Sequence, residues 1–78
     1  MMDERERLRK IVMEEQEGRC AICEQRETKL KNGDVLTIDR DPVTGVVRGL
    51  LCSKCNMALG LFQDNAELLD RASLYLSA

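Results

Sequence analysis

Four cysteines arranged as two Cys-x-x-Cys pairs constrain the fold of this 78-residue chain more than any other feature. The first pair is Cys20 with Cys23, and the second is Cys52 with Cys55. A two-residue spacing lets both sulfurs of a pair face one ion, and 28 residues separate the pairs, enough for a hairpin that brings them together. The pattern predicts a structural Cys₄ zinc site with no open coordination position.

The alternatives to a zinc site are two disulfides or a redox-active dithiol. Residues 1–10 alternate in charge and lack the apolar segment and cleavage site of a signal peptide. No stretch approaches the roughly 20 apolar residues that a membrane span needs. We therefore expect a cytoplasmic protein without membrane association, where the reducing environment favours metal over disulfides. A thioredoxin-like site would need a βαβ pattern, which the order of predicted elements does not offer.

Size and composition explain why the chain needs a metal. An apolar core of a chain this short rarely supplies more than roughly 3–5 kcal/mol. Aromatic residues make up only 3% of the sequence, so the largest core-filling side chains are nearly absent. The formal net charge is −2, and four thiolates around Zn²⁺ would add −2 more. Strong nonspecific binding to DNA is therefore not the default expectation.

The first predicted element is a charged helix over residues 3–17, ended by Gly18. Asp3 with Arg7 and Glu6 with Lys10 are spaced as i,i+4 ion pairs. Its narrow apolar stripe comprises Leu8, Ile11, Val12 and Met13. We divide the chain into this N-terminal helix, residues 1–18, and a zinc-bound domain, residues 19–78. The helix either packs by one edge or, as an alternative, binds a partner or dimerises.

The remaining elements give a small α+β domain. Two β-prone runs, one around Val35–Ile38 and one at Val46–Arg48, flank turn residues 41–45 and predict a hairpin. A short helix is expected at Asn56–Gly60. A last helix should start at Asp64 or Asn65 and run to about Leu76. The predicted order is therefore N-terminal helix, Cys₄ site, hairpin followed by a helix, and C-terminal helix.

From Cys20 onward, about three quarters of the chain resembles the recombination endonuclease VII family of the ββα-metal (HNH-like) superfamily. The resemblance rests on the Cys-x-x-Cys pair, the strand ending in Asp39, the stretch 44–52, Cys55-Asn56, the stretch 58–62 and the closing helix. It implies a ββα unit beside the zinc, with a separate catalytic Mg²⁺. By position, Asp39 matches the family's carboxylate ligand and Asn56 its amide ligand.

One position departs decisively from the family pattern. Arg40 stands where the family has the histidine that serves as general base, and the chain contains no histidine. A guanidinium is always protonated and has no lone pair to accept a proton. Thr37 and Pro42 also replace family histidines. Asp41 could substitute as the base, although an ordinary aspartate is a weak one at neutral pH.

Three functions remain open from the sequence. The favoured hypothesis is a degenerate, phage-type nuclease module that no longer hydrolyses DNA and binds a macromolecular partner, more readily a host or phage protein. The first alternative is an active Mg²⁺-dependent endonuclease on branched or nicked DNA, acting as a monomer or a homodimer. The second is a non-catalytic nucleic-acid-binding protein. Besides the charged helix, the expected contact residues for a partner or nucleic acid are Arg40, Arg48 and Lys54.

Overall fold

The computed structural model describes all 78 residues and contains three helices and one hairpin. The elements in chain order are α1 (Glu4–Glu15), β1 (Thr37–Arg40), β2 (Val47–Leu51), α2 (Ser53–Leu61) and α3 (Ala66–Ser77). Two short 3-10 turns, Glu27–Lys29 and Lys31–Gly33, precede β1. The predicted α+β fold is confirmed. None of the helices is long and apolar enough to cross a membrane.

Helix α1 begins and ends as its sequence predicts, but its ion pairs differ. The Asp3 carboxylate accepts the backbone N–H of Glu6 at 2.8 Å, and Gly18 follows the helix at φ +72°. The predicted i,i+4 pairs of α1 are not formed. Arg9 instead binds Glu27, whose carboxylate also accepts the backbone N–H of Leu36. Exposed i,i+4 pairs contribute little, so a partner that also satisfies a backbone amide is preferred.

The hairpin lies slightly further along the chain than the sequence suggests. Thr37 pairs with Leu51, Ile38 with Leu50, Asp39 with Gly49 and Arg40 with Val47. The predicted first strand was placed too early, because the N–H of Leu36 is bound by the Glu27 side chain and not by a neighbouring strand. The register leaves Arg48 unpaired, so this residue forms a β-bulge.

The core is very small and is built around the hairpin. Seven of the 78 residues are buried, and the core side chains are Cys20, Leu36, Leu50, Leu51, Cys52 and Cys55. Half of these six side chains are thiols. Val12 and Met13 of α1 and Leu59 of α2 pack against them, whereas Ile11 stays half exposed. The stability of the domain therefore depends on the interactions that these thiols make with one another or with a bound ion.

Helix α2 is longer than predicted and starts three residues earlier, directly after Cys52. Its first N–H, from Ser53, is accepted by the Asp34 carboxylate at 3.1 Å. The chain leaves α2 through two left-handed residues, Gln63 and Asp64, with φ values of 57° and 54°. The backbone N–H of Asp64 returns to the carbonyl of Leu59 at 2.7 Å. This turn fixes the direction in which the Asp64 side chain leaves the backbone.

Helix α3 starts where the sequence predicts. The Asn65 side chain accepts the backbone N–H of Leu68 at 3.1 Å, which makes Asn65 the N-cap. No residue of α3 is buried, and Leu68, Leu69 and Ala72 are half-buried. The helix therefore makes few contacts with the rest of the molecule.

Candidate metal centre and the adjoining hairpin face

The structure brings the four cysteines into one cluster. Their sulfur atoms all lie within 4.8 Å of one another, and the Sγ atoms of Cys23 and Cys52 are 3.9 Å apart. Tetrahedral Zn–S bonds of about 2.3 Å would set the sulfurs roughly 3.8 Å apart. All four thiols are free, and three of them are buried. Donor type, number and spacing therefore fit a metal ion such as Zn²⁺.

Two separate segments of the chain carry the cysteines of this cluster. Cys20 and Cys23 lie on a tight loop in which the N–H of Glu24 binds the carbonyl of Cys20 at 3.0 Å. Cys52 and Cys55 come from the end of β2 and the first turn of α2. The hairpin and the start of α2 thus supply one half of the site, and the loop after α1 supplies the other.

The thiols differ in their readiness to ionise. Burial raises the pKa of Cys20, but backbone N–H groups, that of Cys52 among them at 3.5 Å from the sulfur, outweigh burial and lower the pKa to about 6. Burial and the neighbouring thiols raise the pKa of Cys55 to about 12. Cys20 therefore ionises more readily than Cys55, and a bound cation would favour the thiolate form of the whole set.

Beside the cluster, Arg48 lies between two carboxylates on the hairpin face. Its Nε and Nη2 donate to the two oxygens of Asp39 at 2.7 and 3.1 Å. Its Nη1 and Nη2 donate to the two oxygens of Asp64, both at 2.9 Å. These contacts raise the pKa of Arg48, and the Arg48 hydrogen bond lowers the pKa of Asp64. We call Asp39, Arg48 and Asp64 together the Arg48 clamp.

The two residues that the resemblance assigns to Mg²⁺, Asp39 and Asn56, lie in different environments. Both oxygens of Asp39 accept hydrogen bonds from Arg48, so a cation already neutralises this carboxylate. Asn56 is exposed on α2, one turn before Leu59, and its side chain makes no hydrogen bond to the protein. Leu59 lines a shallow depression of about 230 Å³ with Asp39, but Asn56 does not. The assignment of Asp39 and Asn56 to Mg²⁺ therefore stays a prediction.

The predicted contact residues have different environments. Arg40 is exposed, and its Nη1 donates to the carbonyl of Gly45 at 3.1 Å. Lys54 is exposed beside an open groove that Lys31 and Asn32 also line. The Arg48 guanidinium donates four hydrogen bonds to carboxylates of the chain itself. Of the three, Arg40 and Lys54 are therefore the ones with charges available to a partner.

Sequence reasoning missed three structurally important side chains. Asp64 was read as a helix cap and is instead the second carboxylate of the Arg48 clamp. Asp34 caps α2 from 19 residues away. Gln16 donates through Nε2 to the carbonyls of Arg19 and Leu50 and accepts the N–H of Leu50 through Oε1 at 2.8 Å. An aspartate or glutamine carries no local signal of a distant backbone partner, so none of these roles was visible in the sequence.

Comparison with known proteins agrees with the resemblance read from the motifs. The chain is 47% identical over 66 residues to the Gene 59 protein of Mycobacterium phage D29 and 46% identical to that of Mycobacterium phage L5. Each alignment covers 83% of this chain and 38% of the relative, so the chain spans about two fifths of the length of these curated relatives. No solved structure matches it. The family model for recombination endonuclease VII matches residues 2–78, and the chain therefore belongs to the recombination endonuclease VII family.

Proposed function

We propose that this chain is an endonuclease VII-like zinc module that has lost hydrolysis and binds a macromolecular partner, more readily a protein than duplex DNA. The observation that carries the proposal is the absence of a proton acceptor at position 40. Phosphodiester hydrolysis needs a group that accepts a proton from the attacking water, a contribution typically worth 10²–10⁴-fold in rate. Arg40 has no lone pair for this proton, and the chain has no histidine to replace it.

The neighbouring carboxylate does not compensate for the missing base. The Asp41 carboxylate accepts the backbone N–H groups of Val43 and Thr44 at 2.8 and 3.0 Å within the hairpin turn. These hydrogen bonds lower the pKa of Asp41 below its usual range. A carboxylate held in its ionised form is a poorer proton acceptor than an ordinary aspartate. The local geometry therefore supports a loss of general-base catalysis.

The metal of this module is proposed to be zinc, held by Cys20, Cys23, Cys52 and Cys55. Four thiolates select soft or borderline ions, and a closed Cys₄ shell leaves no position for water or substrate. The role of zinc is then to hold the fold. A reducing compartment, such as the cytoplasm of a phage-infected cell, would keep the thiols available.

A cleavage assay tests the loss of hydrolysis. Zinc-loaded protein is incubated with a four-way DNA junction and with plasmid, in Mg²⁺ and in Mn²⁺. We expect no cleavage by the wild type and the same background with Asp39→Ala. Robust cleavage by the wild type that Asp39→Ala abolishes would overturn the proposal. It would favour the second candidate, a Mg²⁺-dependent endonuclease on branched or nicked DNA. Family membership and the retained Asp39 and Asn56 support this candidate.

The partner is tested separately from catalysis. The net charge of −2 disfavours duplex DNA, and the exposed acids of α1 suit a basic or mixed-charge protein surface of phage or host origin. We expect affinity capture to recover a specific protein complex whose salt sensitivity changes with Glu6→Lys combined with Glu14→Lys. A gel shift with the same DNA substrates is the control. Binding of DNA alone, unaffected by these substitutions, would indicate the third function, a non-catalytic nucleic-acid binder.

A further inference from the structure

The Arg48 clamp joins parts of the chain that are far apart in sequence. Asp39 belongs to β1, Arg48 to β2, and Asp64 to the turn between α2 and α3. Four of the five guanidinium N–H donors of Arg48 are used, in two bidentate pairs. The β-bulge at Arg48 takes this residue out of the regular strand pairing, which frees its side chain to reach both carboxylates.

The clamp changes what Asp39 can do. The Asp39 side chain is only 12% exposed, and Arg48 binds both of its oxygens. We infer that Arg48 is an internal counter-cation that keeps divalent metal ions away from Asp39 and makes this carboxylate a structural tie between the hairpin and the start of α3. The inference concerns the face on which hydrolysis is proposed to be lost, but it does not depend on that loss.

A guanidinium and a divalent cation compete for the Asp39 carboxylate in this geometry. Mg²⁺ binds oxygen at about 2.0–2.1 Å in a near-octahedral shell that retains several waters. Arg48 donors already lie 2.7 and 3.1 Å from the same two oxygens. A metal there would face the positive charge of Arg48 a few ångströms away, and this repulsion would lower its affinity for Asp39. Metal binding at Asp39 is therefore weakened as long as Arg48 holds both oxygens.

Asp64 keeps Arg48 from leaving. Its backbone is fixed by the left-handed turn and by the hydrogen bond to Leu59, so its carboxylate stays aimed at Arg48. Moving Arg48 away from Asp39 would also break its contacts with Asp64, unless the guanidinium turned about that second pair. The clamp as a whole carries one net negative charge, which attracts a divalent ion weakly compared with two free carboxylates.

Titration of zinc-loaded protein with Mn²⁺, followed by electron paramagnetic resonance at neutral pH, tests the inference. Arg48→Gln removes the counter-cation, so the carboxylates of Asp39 and Asp64 would both face the space that the guanidinium occupied. We expect it to bind Mn²⁺ at least about tenfold more tightly than the wild type. Adding Asp39→Asn to Arg48→Gln should remove this gain. Arg9→Gln is the matched control, because it breaks an ion pair elsewhere and should leave Mn²⁺ binding at the wild-type level.

Two further measurements cover the case in which Arg48→Gln fails to fold. Arg48→Lys keeps the positive charge but cannot bind two carboxylates bidentately, so its affinity for Mn²⁺ should lie between those of the wild type and Arg48→Gln. In the wild type, the Nε–H signal of ¹⁵N-labelled Arg48 should remain unchanged as Mg²⁺ is added. Mn²⁺ binding by the wild type that equals that of Arg48→Gln and is lost in Asp39→Asn would overturn the inference.

The same series separates this inference from the proposed function. A wild type that cleaves DNA while excluding Mn²⁺ from Asp39 would overturn the proposed loss of hydrolysis and leave the clamp intact. Arg40→His restores a proton acceptor but leaves the clamp in place, so we expect it to remain inactive. Cleavage gained by Arg40→His alone, and lost again with Asp39→Asn, would overturn the clamp while leaving the wild type without hydrolysis.

Discussion

At the scale of single residues, Gln16 and Gly49 show how one side chain joins α1 to the hairpin. The Gln16 amide bonds both backbone groups of Leu50, as a neighbouring strand would. This approach is possible because position 49 has no side chain. A Cβ at Gly49 would lie 2.8 Å from Oε1 of Gln16, which is closer than such atoms come in folded proteins.

A double-mutant cycle tests this contact. Gly49→Ala should push the Gln16 amide off Leu50 and lower the free energy of unfolding of the zinc-loaded protein by about 1–3 kcal/mol. In a Gln16→Ala background the clash is absent, so Gly49→Ala should cost much less. Urea unfolding of the four proteins gives the coupling energy. Equal costs of Gly49→Ala in both backgrounds would show that the two residues act independently.

At the scale of elements, the sequence predicted helices better than strands. The caps Asp3 and Asn65 act on amides three residues away, so a local pattern contains the whole interaction. The first strand was placed too early because the amide of Leu36 is bound by Glu27, nine residues earlier. The start of α2 was missed for the same reason, since Asp34 caps it from a distant loop. The spacing of the two Cys-x-x-Cys pairs was sufficient to predict that the four cysteines lie together. The Arg48 clamp could not be predicted in this way, because it depends on tertiary contacts.

We expect the stability of helix α3 to depend mainly on interactions within the helix itself. An isolated helix of 12 residues is marginal in water, and α3 has no buried residue. Asn65→Ala removes its N-cap, at a cost of about 1 kcal/mol. We expect faster amide exchange across residues 66–77, with zinc retained and the hairpin amides still protected.

A matched substitution at the distant cap of α2 separates local from global effects. Asp34→Ala removes the cap of α2, the helix that carries Cys55, and should lower the urea midpoint of the whole domain. Protection lost throughout the hairpin in Asn65→Ala would show that α3 belongs to the same cooperative unit as the metal centre.

At the scale of the whole molecule, the domain is elongated for its length. Its radius of gyration is 13.8 Å, whereas a compact chain of this size would have roughly 11.5 Å. Few residues can be buried in such a shape, and half of the core side chains are cysteines. Apolar burial alone therefore leaves little stability, and we expect a metal bound to the thiols to supply much of the remainder.

Removal of zinc should consequently unfold the molecule. Structural zinc in finger peptides contributes about 10–16 kcal/mol of apparent binding energy, more than a core of this size supplies. We expect one Zn²⁺ per purified chain, and cooperative loss of hairpin protection and circular dichroism when a strong chelator is added. Cys52→Ser should have the same effect, because it removes one ligand from a buried set whose other thiolates then lack full compensation.

Ala21→Ser is the control for this substitution, since it adds a hydroxyl beside Cys20 at an exposed position and leaves all four ligands in place. It should bind zinc and unfold at a urea concentration close to that of the wild type. Mass spectrometry of the intact protein provides the opposing test. A folded, metal-free chain lighter by four hydrogen atoms would carry two disulfides, and the cysteines would then stabilise the fold by covalent cross-links without a metal ion.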